Sequence, residues 1–163
     1  MNNATATGAA LVNRALLQAP GWTKRKAEAM RYMLDTNICI YIIKRQPPQV
    51  LHRLAALAQG SAVMSVVSYA ELRAGLEIQT ANRSQDASVL ALLISRIPVL
   101  PFTESDAESF GVLRAAARDR RRDAMDQLIA AHAVSVGLTL VTNNEADFKD
   151  YPGLRVENWT LNP

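Results

Sequence analysis

The chain has 163 residues, of which 49% are hydrophobic, and this length and composition predict one globular domain and exclude a largely disordered chain. No apolar run approaches the roughly 18 residues that a membrane-spanning helix needs. The single cysteine, Cys39, excludes an internal disulfide and a cysteine-rich zinc site, and it favours the reducing cytoplasm as the location.

The net charge of +3 resides in the first 29 residues, which hold four basic residues and one acidic residue. The other 14 basic and 14 acidic residues cancel, so overall charge is no evidence that the main part of the chain binds RNA. Residues 1–29 are rich in Ala, Asn and Thr, and we expect an N-terminal extension that is mobile or non-native. An amphipathic helix over residues 9–19 is compatible with this segment, and we expect the folded domain over residues 30–163.

From residue 30 onward, short apolar segments alternate with segments of helical periodicity. Strands are predicted at residues 32–34, 62–66, 98–100, 138–142 and 155–157. Helices are predicted at residues 38–43, from Pro48 onward, and at residues 67–76, 89–97 and 103–118. A further helix ends at Gly137, with Met125, Ile129 and His132 expected on its apolar face. This alternation predicts an α/β fold with a mainly parallel sheet.

Polar residues follow the predicted strands, at the edge where open α/β sheets bind ligands. Residues 35–37 (Asp-Thr-Asn) come directly after the first strand. Residues 142–144 (Thr-Asn-Asn) follow the fourth strand, with Asp147 shortly after. Glu71 lies about one helical turn beyond the second strand, and Asp126 opens the helix that leads into the fourth strand. We expect these side chains to converge on one cleft.

Each of these acids, taken alone, has a purely structural explanation. Asp35 can cap the helix after it, and the pairs Ser68/Glu71 and Asp123/Asp126 have the spacing of capping boxes. Several acids in one cleft are different, because close carboxylates repel one another and a divalent cation removes that penalty. Carboxylate ligands suit Mg²⁺ or Mn²⁺ better than zinc. Such a cation lowers the pKa of a bound water and stabilises charge on a phosphodiester.

Histidine and cysteine side chains offer weaker alternatives to a metal site built from carboxylates. A metal-free cleavage of RNA by His52 and His132 is conceivable, but His132 lies among alanines and is expected to pack a helix, while His52 is expected to face solvent. Cys39 stands among isoleucines, which indicates a buried and inert thiol. The arginines at 118 and 120–122 form a basic cluster that is either a solvated turn or a contact for RNA phosphates beside Asp126.

Four segments resemble VapC-type PIN-domain toxins in order and spacing. They are residues 33–38 (MLDTNI), 71–75 (ELRAG), 125–133 (MDQLIAAHA) and 140–148 (LVTNNEADF), and the resemblance extends over residues 30–159. It implies a three-layer α/β/α PIN-like fold and an Mg²⁺-dependent endoribonuclease, with Mn²⁺ as an alternative ion. It also implies a toxin of a toxin–antitoxin pair that cuts structured RNA such as transfer RNA, forms a homodimer and binds a cognate antitoxin, with no membrane partner.

The resemblance also assigns roles to individual residues. It implies that Asp35, Asp126 and Glu71 hold the metal. Many PIN domains place a fourth acid where this chain has Asn144, so either Asp147 or the amide oxygen of Asn144 completes the site. We therefore expect Asp147 among the catalytic residues, and the following residues to bind RNA: Thr36, Asn37, Arg120, Arg121, Arg122, Thr142 and Asn144.

One position departs from the family pattern, in which a glycine usually stands where this chain has Asp123. A glycine allows unusual backbone angles and a close approach of RNA, whereas Asp123 adds negative charge near the expected metal and phosphates. This departure keeps an alternative open, namely a catalytically weak or silent module that mainly binds its antitoxin and, together with it, operator DNA.

Overall fold

A computed structural model describes residues 23–78, 81–119 and 123–161 of the chain. In these residues eight helices and five strands are present. In chain order they are α1 Lys24–Ala29, β1 Tyr32–Leu34, α2 Thr36–Lys44, α3 Pro48–Ala56, β2 Ala62–Ser65, α4 Val66–Ile78, α5 Arg83–Arg96, β3 Val99–Leu100, α6 Glu104–Ala116, α7 Ala124–Ser135, β4 Thr139–Val141, α8 Glu145–Phe148 and β5 Arg155–Glu157.

The five strands form one parallel sheet in the order β3-β2-β1-β4-β5. The first strand, β1, therefore lies in the middle of the sheet. Strands β2 and β3 follow on one side of it, and β4 and β5 follow on the other. In the register of the central strands, Leu34 pairs with Met64 on one side and with Val141 on the other. The strand order reverses between β1 and β4, and this is where doubly wound folds bind their ligands.

Helices cover both faces of the sheet because successive strand residues point to opposite sides. Met33 and Leu140 belong to the core that packs against α6, α7 and α8. Their neighbours Leu34 and Val141 belong to the second core, which packs against α2, α3, α4 and α5. The predicted three-layer α/β/α architecture with a parallel sheet is confirmed.

The junction between β2 and α4 differs from the prediction. The strand ends at Ser65, whose hydroxyl accepts a hydrogen bond from the backbone N–H of Val67 at 3.1 Å and turns the chain into the helix. Ser68 consequently lies inside α4 and is buried. The prediction that Ser68 and Glu71 form a capping box is therefore wrong.

Other boundaries show where apolar periodicity fails as a signal. Helix α5 begins at Arg83, six residues before the predicted start, because its first turn is polar and exposed. Helix α6 ends at Ala116 rather than at residue 118, and the short α8 was not predicted. The helix start at Thr103 is confirmed, since Thr103 and Asp106 form a capping box.

Helix α1 falls within the segment that we expected to be an extension. It lines a pocket of about 680 Å³ together with domain residues that include Gln59 and Arg96. The helix expected over residues 9–19 lies outside the described residues. Within residues 23–78, 81–119 and 123–161, no helix is long and apolar enough to cross a membrane.

Candidate active site

Asp35 lies at the carboxyl end of β1 and is the N-cap of α2. Its carboxylate accepts a hydrogen bond from the backbone N–H of Ile38 at 2.8 Å, and its own backbone N–H donates to the carbonyl of Val141 at 3.0 Å. The expected capping role is therefore confirmed. The side chain is nevertheless buried, with 4% of its surface exposed, which is unusual for a carboxylate whose partners are neutral.

The environment of Asp35 disfavours its charged form. Burial, together with the nearby charge of Glu71, raises the pKa of Asp35 to about 6. Hydrogen bonds from the Thr142 hydroxyl and from the backbone of Ile38 act in the opposite direction. Thr142 follows β4, so the polar contact to Asp35 spans the point where the strand order reverses.

Asp126 is the third residue of α7, and the N-cap of that helix is Asp123. The pKa of Asp126 is raised to about 6, first by burial and then by the negative charges of four other carboxylates, namely Asp123, Asp35, Glu71 and Asp147. Residues that are far apart in the sequence therefore share one electrostatic environment. The structure brings the predicted acids together at the carboxyl edge of the sheet.

Hydrogen bonds hold the two remaining acids in place. The hydroxyl of Thr36 donates to Oε2 of Glu71, and the amide of Asn144 donates to Oδ2 of Asp147. The backbone N–H of Asn144 also donates to the Thr142 hydroxyl at 3.0 Å. Thr36, Thr142 and Asn144, which we expected to bind RNA, thus contact the acidic side chains directly.

The oxygen donors of this cluster suit a hard divalent cation, since they are carboxylates and the neighbouring charges raise the pKa of Asp35 and Asp126. Over the described ranges, however, no group of three or more His, Cys, Asp or Glu side chains is arranged so that it could hold a metal ion. Glu71 and Asp147 are instead engaged by Thr36 and Asn144. The chain therefore supplies donors of the right chemistry and charge without a preformed cage.

Some of the other residues that we expected to contact RNA can be located in the structure, and others cannot. Asn37 is exposed and lies two residues after Asp35 in the chain. Arg120, Arg121 and Arg122 lie outside the described residues. Arg118 is exposed, and its guanidinium lies 3.8 Å from the carboxylate of Asp119.

Asp123 occupies its position without any need for glycine. Its φ of −63° is ordinary for an L residue, and its carboxylate accepts hydrogen bonds from the N–H groups of Met125 at 2.8 Å and Asp126 at 3.3 Å. The resemblance to a capping box is therefore borne out at the Asp123 end. The side chain is exposed, and its charge raises the pKa of Asp126, as expected for an added negative charge near the site.

The histidines and the cysteine lie outside this acidic cluster. His132 is completely buried and its Nδ1 lies 2.8 Å from the Ser65 hydroxyl, whereas His52 is exposed on α3. Cys39 is buried, and burial raises the pKa of its thiol. These placements confirm the expectations for all three residues.

The expectation that Met125 lies on the apolar face of α7 is wrong, because 43% of that side chain is exposed.

Sequence reasoning did not single out Ser65 or Asp106 as members of a buried polar cluster. Both are buried beside His132, on different elements. The position of Ser65 carried a usable signal, since it ends β2 as Asp35 follows β1. Its partner on α7 lies 67 residues away, and no local pattern specifies that pairing.

A doubly wound parallel sheet with clustered carboxylates at its carboxyl edge is the arrangement of PIN-domain nucleases. The PIN domain model matches residues 32–154, which include strands β1 to β4 and end directly before β5.

Individual proteins that are similar to this chain identify the branch of the family to which it belongs. The tRNA(fMet)-specific endonuclease VapC of Shigella flexneri is 40% identical over 133 residues, covering 80% of this chain and 99% of the relative. Ribonuclease VapC2 of Rickettsia felis is 36% identical, covering 80% and 98%. The crystal structure of VapBC2 from Rickettsia felis bound to a promoter DNA fragment matches with a TM-score of 0.74 and 35% identity, covering 80% of this chain and 99% of that one. The chain belongs to the PIN-domain family and, within it, to the VapC ribonucleases.

Proposed function

We propose that this protein is a divalent-metal-dependent endoribonuclease whose site is built on Asp35, Glu71 and Asp126. One observation carries the proposal. The two aspartates, on different elements, have pKa values raised to about 6 by burial and by the charges of neighbouring acids that include Glu71. Such a cluster costs free energy in the unliganded fold, and a bound cation removes that cost.

Asp35 and Asp126 would hold Mg²⁺ or Mn²⁺, and Glu71 would act as the third acid. When bound, the cation supplies a water of lowered pKa and stabilises negative charge on the phosphodiester. Asp147, held by Asn144, is the fourth acid of the site, since its charge acts on Asp126. Thr36 orients Glu71, and Thr142 orients Asp35, so each hydroxyl keeps an acid aligned toward the cleft.

The substrate of this site is RNA, with structured RNA such as transfer RNA as the proposed target. A relative that is 40% identical bears the name tRNA(fMet)-specific endonuclease, which supports this class of substrate. Asn37 is exposed close to Asp35, and Arg120, Arg121 and Arg122 precede the cap of α7 directly in the sequence. The three arginine side chains would hold RNA phosphates next to Asp126.

We further propose that the protein is the toxin of a toxin–antitoxin pair and binds its antitoxin in the cytoplasm. Solved structures similar to this chain are VapBC complexes, which include the partner of the VapC chain. An apolar groove of about 440 Å³ lies between α2, α3 and α5, and Leu92 on its wall is 72% exposed. Apolar surface of this kind suits a partner helix.

On α6, Val112 is 65% exposed and offers apolar surface for the second copy of a homodimer.

The test is cleavage of purified transfer RNA by the purified full chain, with product ends mapped by sequencing. We expect EDTA to abolish cleavage and added Mg²⁺ or Mn²⁺ to restore it, because the cation would supply the water of lowered pKa and stabilise the negative charge on the phosphodiester. A preparation of the Asp126→Asn variant serves as the control for contaminating nucleases. Undiminished cleavage in EDTA would contradict the proposal, and a parent protein inactive with every cation would favour a silent antitoxin-binding module.

A further inference from the structure

A second polar cluster lies in the core, away from the acidic cleft. It consists of Ser65 at the end of β2, Asp106 on α6 and His132 on α7, all with no more than 1% of their surface exposed. The Ser65 hydroxyl lies 2.8 Å from Nδ1 of His132, and Nε2 of the same ring lies 3.9 Å from Oδ2 of Asp106. Phe102 packs edge-on against the imidazole.

The proton positions in this cluster follow from its donors and its burial. Burial lowers the pKa of His132, so the ring is neutral and carries one proton. The Ser65 hydroxyl already accepts a hydrogen bond from the N–H of Val67, and its own proton is free to point at Nδ1 of His132. That arrangement leaves the ring proton on Nε2, which faces the carboxylate of Asp106.

This cluster resembles a Ser-His-Asp hydrolase triad in composition only. In a working triad the serine contacts Nε2 and the aspartate contacts Nδ1, and here the two ring nitrogens are exchanged. No substrate could reach the Ser65 hydroxyl, because the residue is fully buried. For the same reason His132 cannot act on RNA together with the exposed His52.

The cluster is also a poor source of stability for the core. Within the described part of the chain, Nε2 of His132 and Oδ1 of Asp106 have no hydrogen-bond partner although both are buried. Unsatisfied buried polar groups lower stability, and apolar side chains of similar volume commonly stabilise such a position at least as well. A role other than stability is therefore needed to explain the histidine.

The position of the Ser65–His132 bond indicates that role. Leu34 pairs with Met64, so the next residues along the two strands, Asp35 and Ser65, lie side by side at the carboxyl edge. Ser65 also directly precedes α4, the helix that carries Glu71, and His132 lies on α7, the helix that carries Asp126. One buried hydrogen bond therefore ties α7, which carries Asp126, to the strand end from which the Glu71 helix starts.

We propose that His132 is a positioning residue whose bond to Ser65 sets the spacing between Glu71 and Asp126. This inference rests on the proposed function, because the spacing matters only if both acids serve one cation. Directed bonds of this kind hold a site to within a fraction of an ångström, which apolar packing does less well. Residues that orient metal-binding side chains from behind typically change metal affinity by 10–100-fold when they are replaced.

The experiment compares three variants of the full chain with the parent. His132→Phe fills the core without a hydrogen bond, Ser65→Ala removes the other partner, and His132→Asn keeps a polar group near the position of Nδ1. Ile129→Val is the matched control, since Ile129 is equally buried on the same helix but lies outside the polar cluster. The readouts are Mn²⁺ affinity by calorimetry without RNA, kcat and KM for RNA cleavage, and Tm.

We expect His132→Phe and Ser65→Ala to weaken Mn²⁺ binding about 10-fold or more and to lower kcat with KM for RNA nearly unchanged. The Asn variant should recover much of this loss, and the Ile129→Val control should lower Tm without weakening Mn²⁺ binding. Parent-like Mn²⁺ affinity and kcat in His132→Phe, or in Ser65→Ala if the Phe variant does not fold, would overturn the positioning role. So would an equal loss of Mn²⁺ affinity in the control. A parent that neither binds Mn²⁺ nor cleaves RNA overturns the proposed function itself, and this inference with it.

Discussion

Two aspartates cap two helices of this protein with nearly the same local geometry. Asp35 precedes α2 with φ −71° and accepts the N–H of Ile38 at 2.8 Å. Asp123 precedes α7 with φ −63° and accepts the N–H of Met125 at 2.8 Å. Both carboxylates satisfy backbone N–H groups at the positive end of a helix, and both serve the same purpose in the local chain.

The two caps differ in their surroundings. Asp35 is buried between β1 and β4, and burial raises its pKa to about 6. Asp123 is exposed to solvent, and its charge acts mainly on its neighbour Asp126. Capping a helix and taking part in chemistry are therefore independent properties of an aspartate. Burial and the proximity of other acids make Asp35 a candidate metal ligand, while the same hydrogen bond at Asp123 has only a structural consequence.

The sharpest test exchanges each cap for asparagine. Asparagine caps a helix as well as aspartate does, so both variants should fold. We expect Asp35→Asn to lower kcat/KM for RNA cleavage by at least about 1,000-fold, because a bound cation supplies several kcal/mol of transition-state stabilisation. Asp126→Asn should behave alike, and the double variant should be no worse than either single one, since these residues act as a unit.

Asp123→Asn is the matched control for this first experiment, and it should retain cleavage at close to the parent rate. The comparison would fail if Asp35→Asn, shown to be folded by circular dichroism, cleaved RNA as fast as the parent.

The second test uses pH. The pKa of Asp35 is about 6 in the folded protein and 3.8 in its reference state, so between these values the folded form holds a proton that the unfolded chain has released. Raising the pH through this window therefore lowers the stability of the cation-free protein. The shift corresponds to at most about 3 kcal/mol, and Asp35→Asn should remove this loss.

The measurement is urea unfolding of the parent and of Asp35→Asn in EDTA at pH 4 and at pH 7. We expect the two proteins to be equally stable at pH 4 and the Asn variant to be more stable at pH 7. Asp119→Asn, at an exposed carboxylate, should show no such divergence. A parent whose stability relative to Asp35→Asn does not fall with rising pH would show that the carboxylate is not disfavoured by its site.

The third and smallest effect concerns the charge of Asp123. Asp123→Asn keeps the cap and removes a negative charge beside the cleft, so RNA should bind more tightly. We expect KM for RNA to fall about threefold at low salt, and the difference should fade at high salt because the exposed charge is screened. Asp123→Ala should lower KM equally while costing about 1 kcal/mol of stability through loss of the cap. A KM that is insensitive to both substitutions would place Asp123 outside the reach of the RNA.

Local patterns determined much of this protein. The strand at Tyr32–Leu34 was predicted with its observed bounds, because a short apolar segment between polar ones has few alternatives in an α/β chain. The strand at Arg155–Glu157 was also predicted with its observed bounds, although only Val156 in it is apolar. The helix start at Thr103 follows from a capping box, which acts within one turn. The order of polar residues after each strand also predicted the acidic edge, since parallel strands bring their carboxyl ends to the same side.

Tertiary structure alone decided which polar residues are buried and which are paired. Ser68 has the sequence signature of a cap, yet the turn at Ser65 starts the helix earlier and places Ser68 in the core. His132 and Met125 share a predicted helix face, yet one is fully buried and the other is 43% exposed. The bond from His132 to Ser65 joins residues 67 positions apart, and it exists because α7 packs over the carboxyl end of β2. Sequence patterns act over one or two turns of chain, whereas burial, pKa and such long-range bonds depend on how the elements pack together.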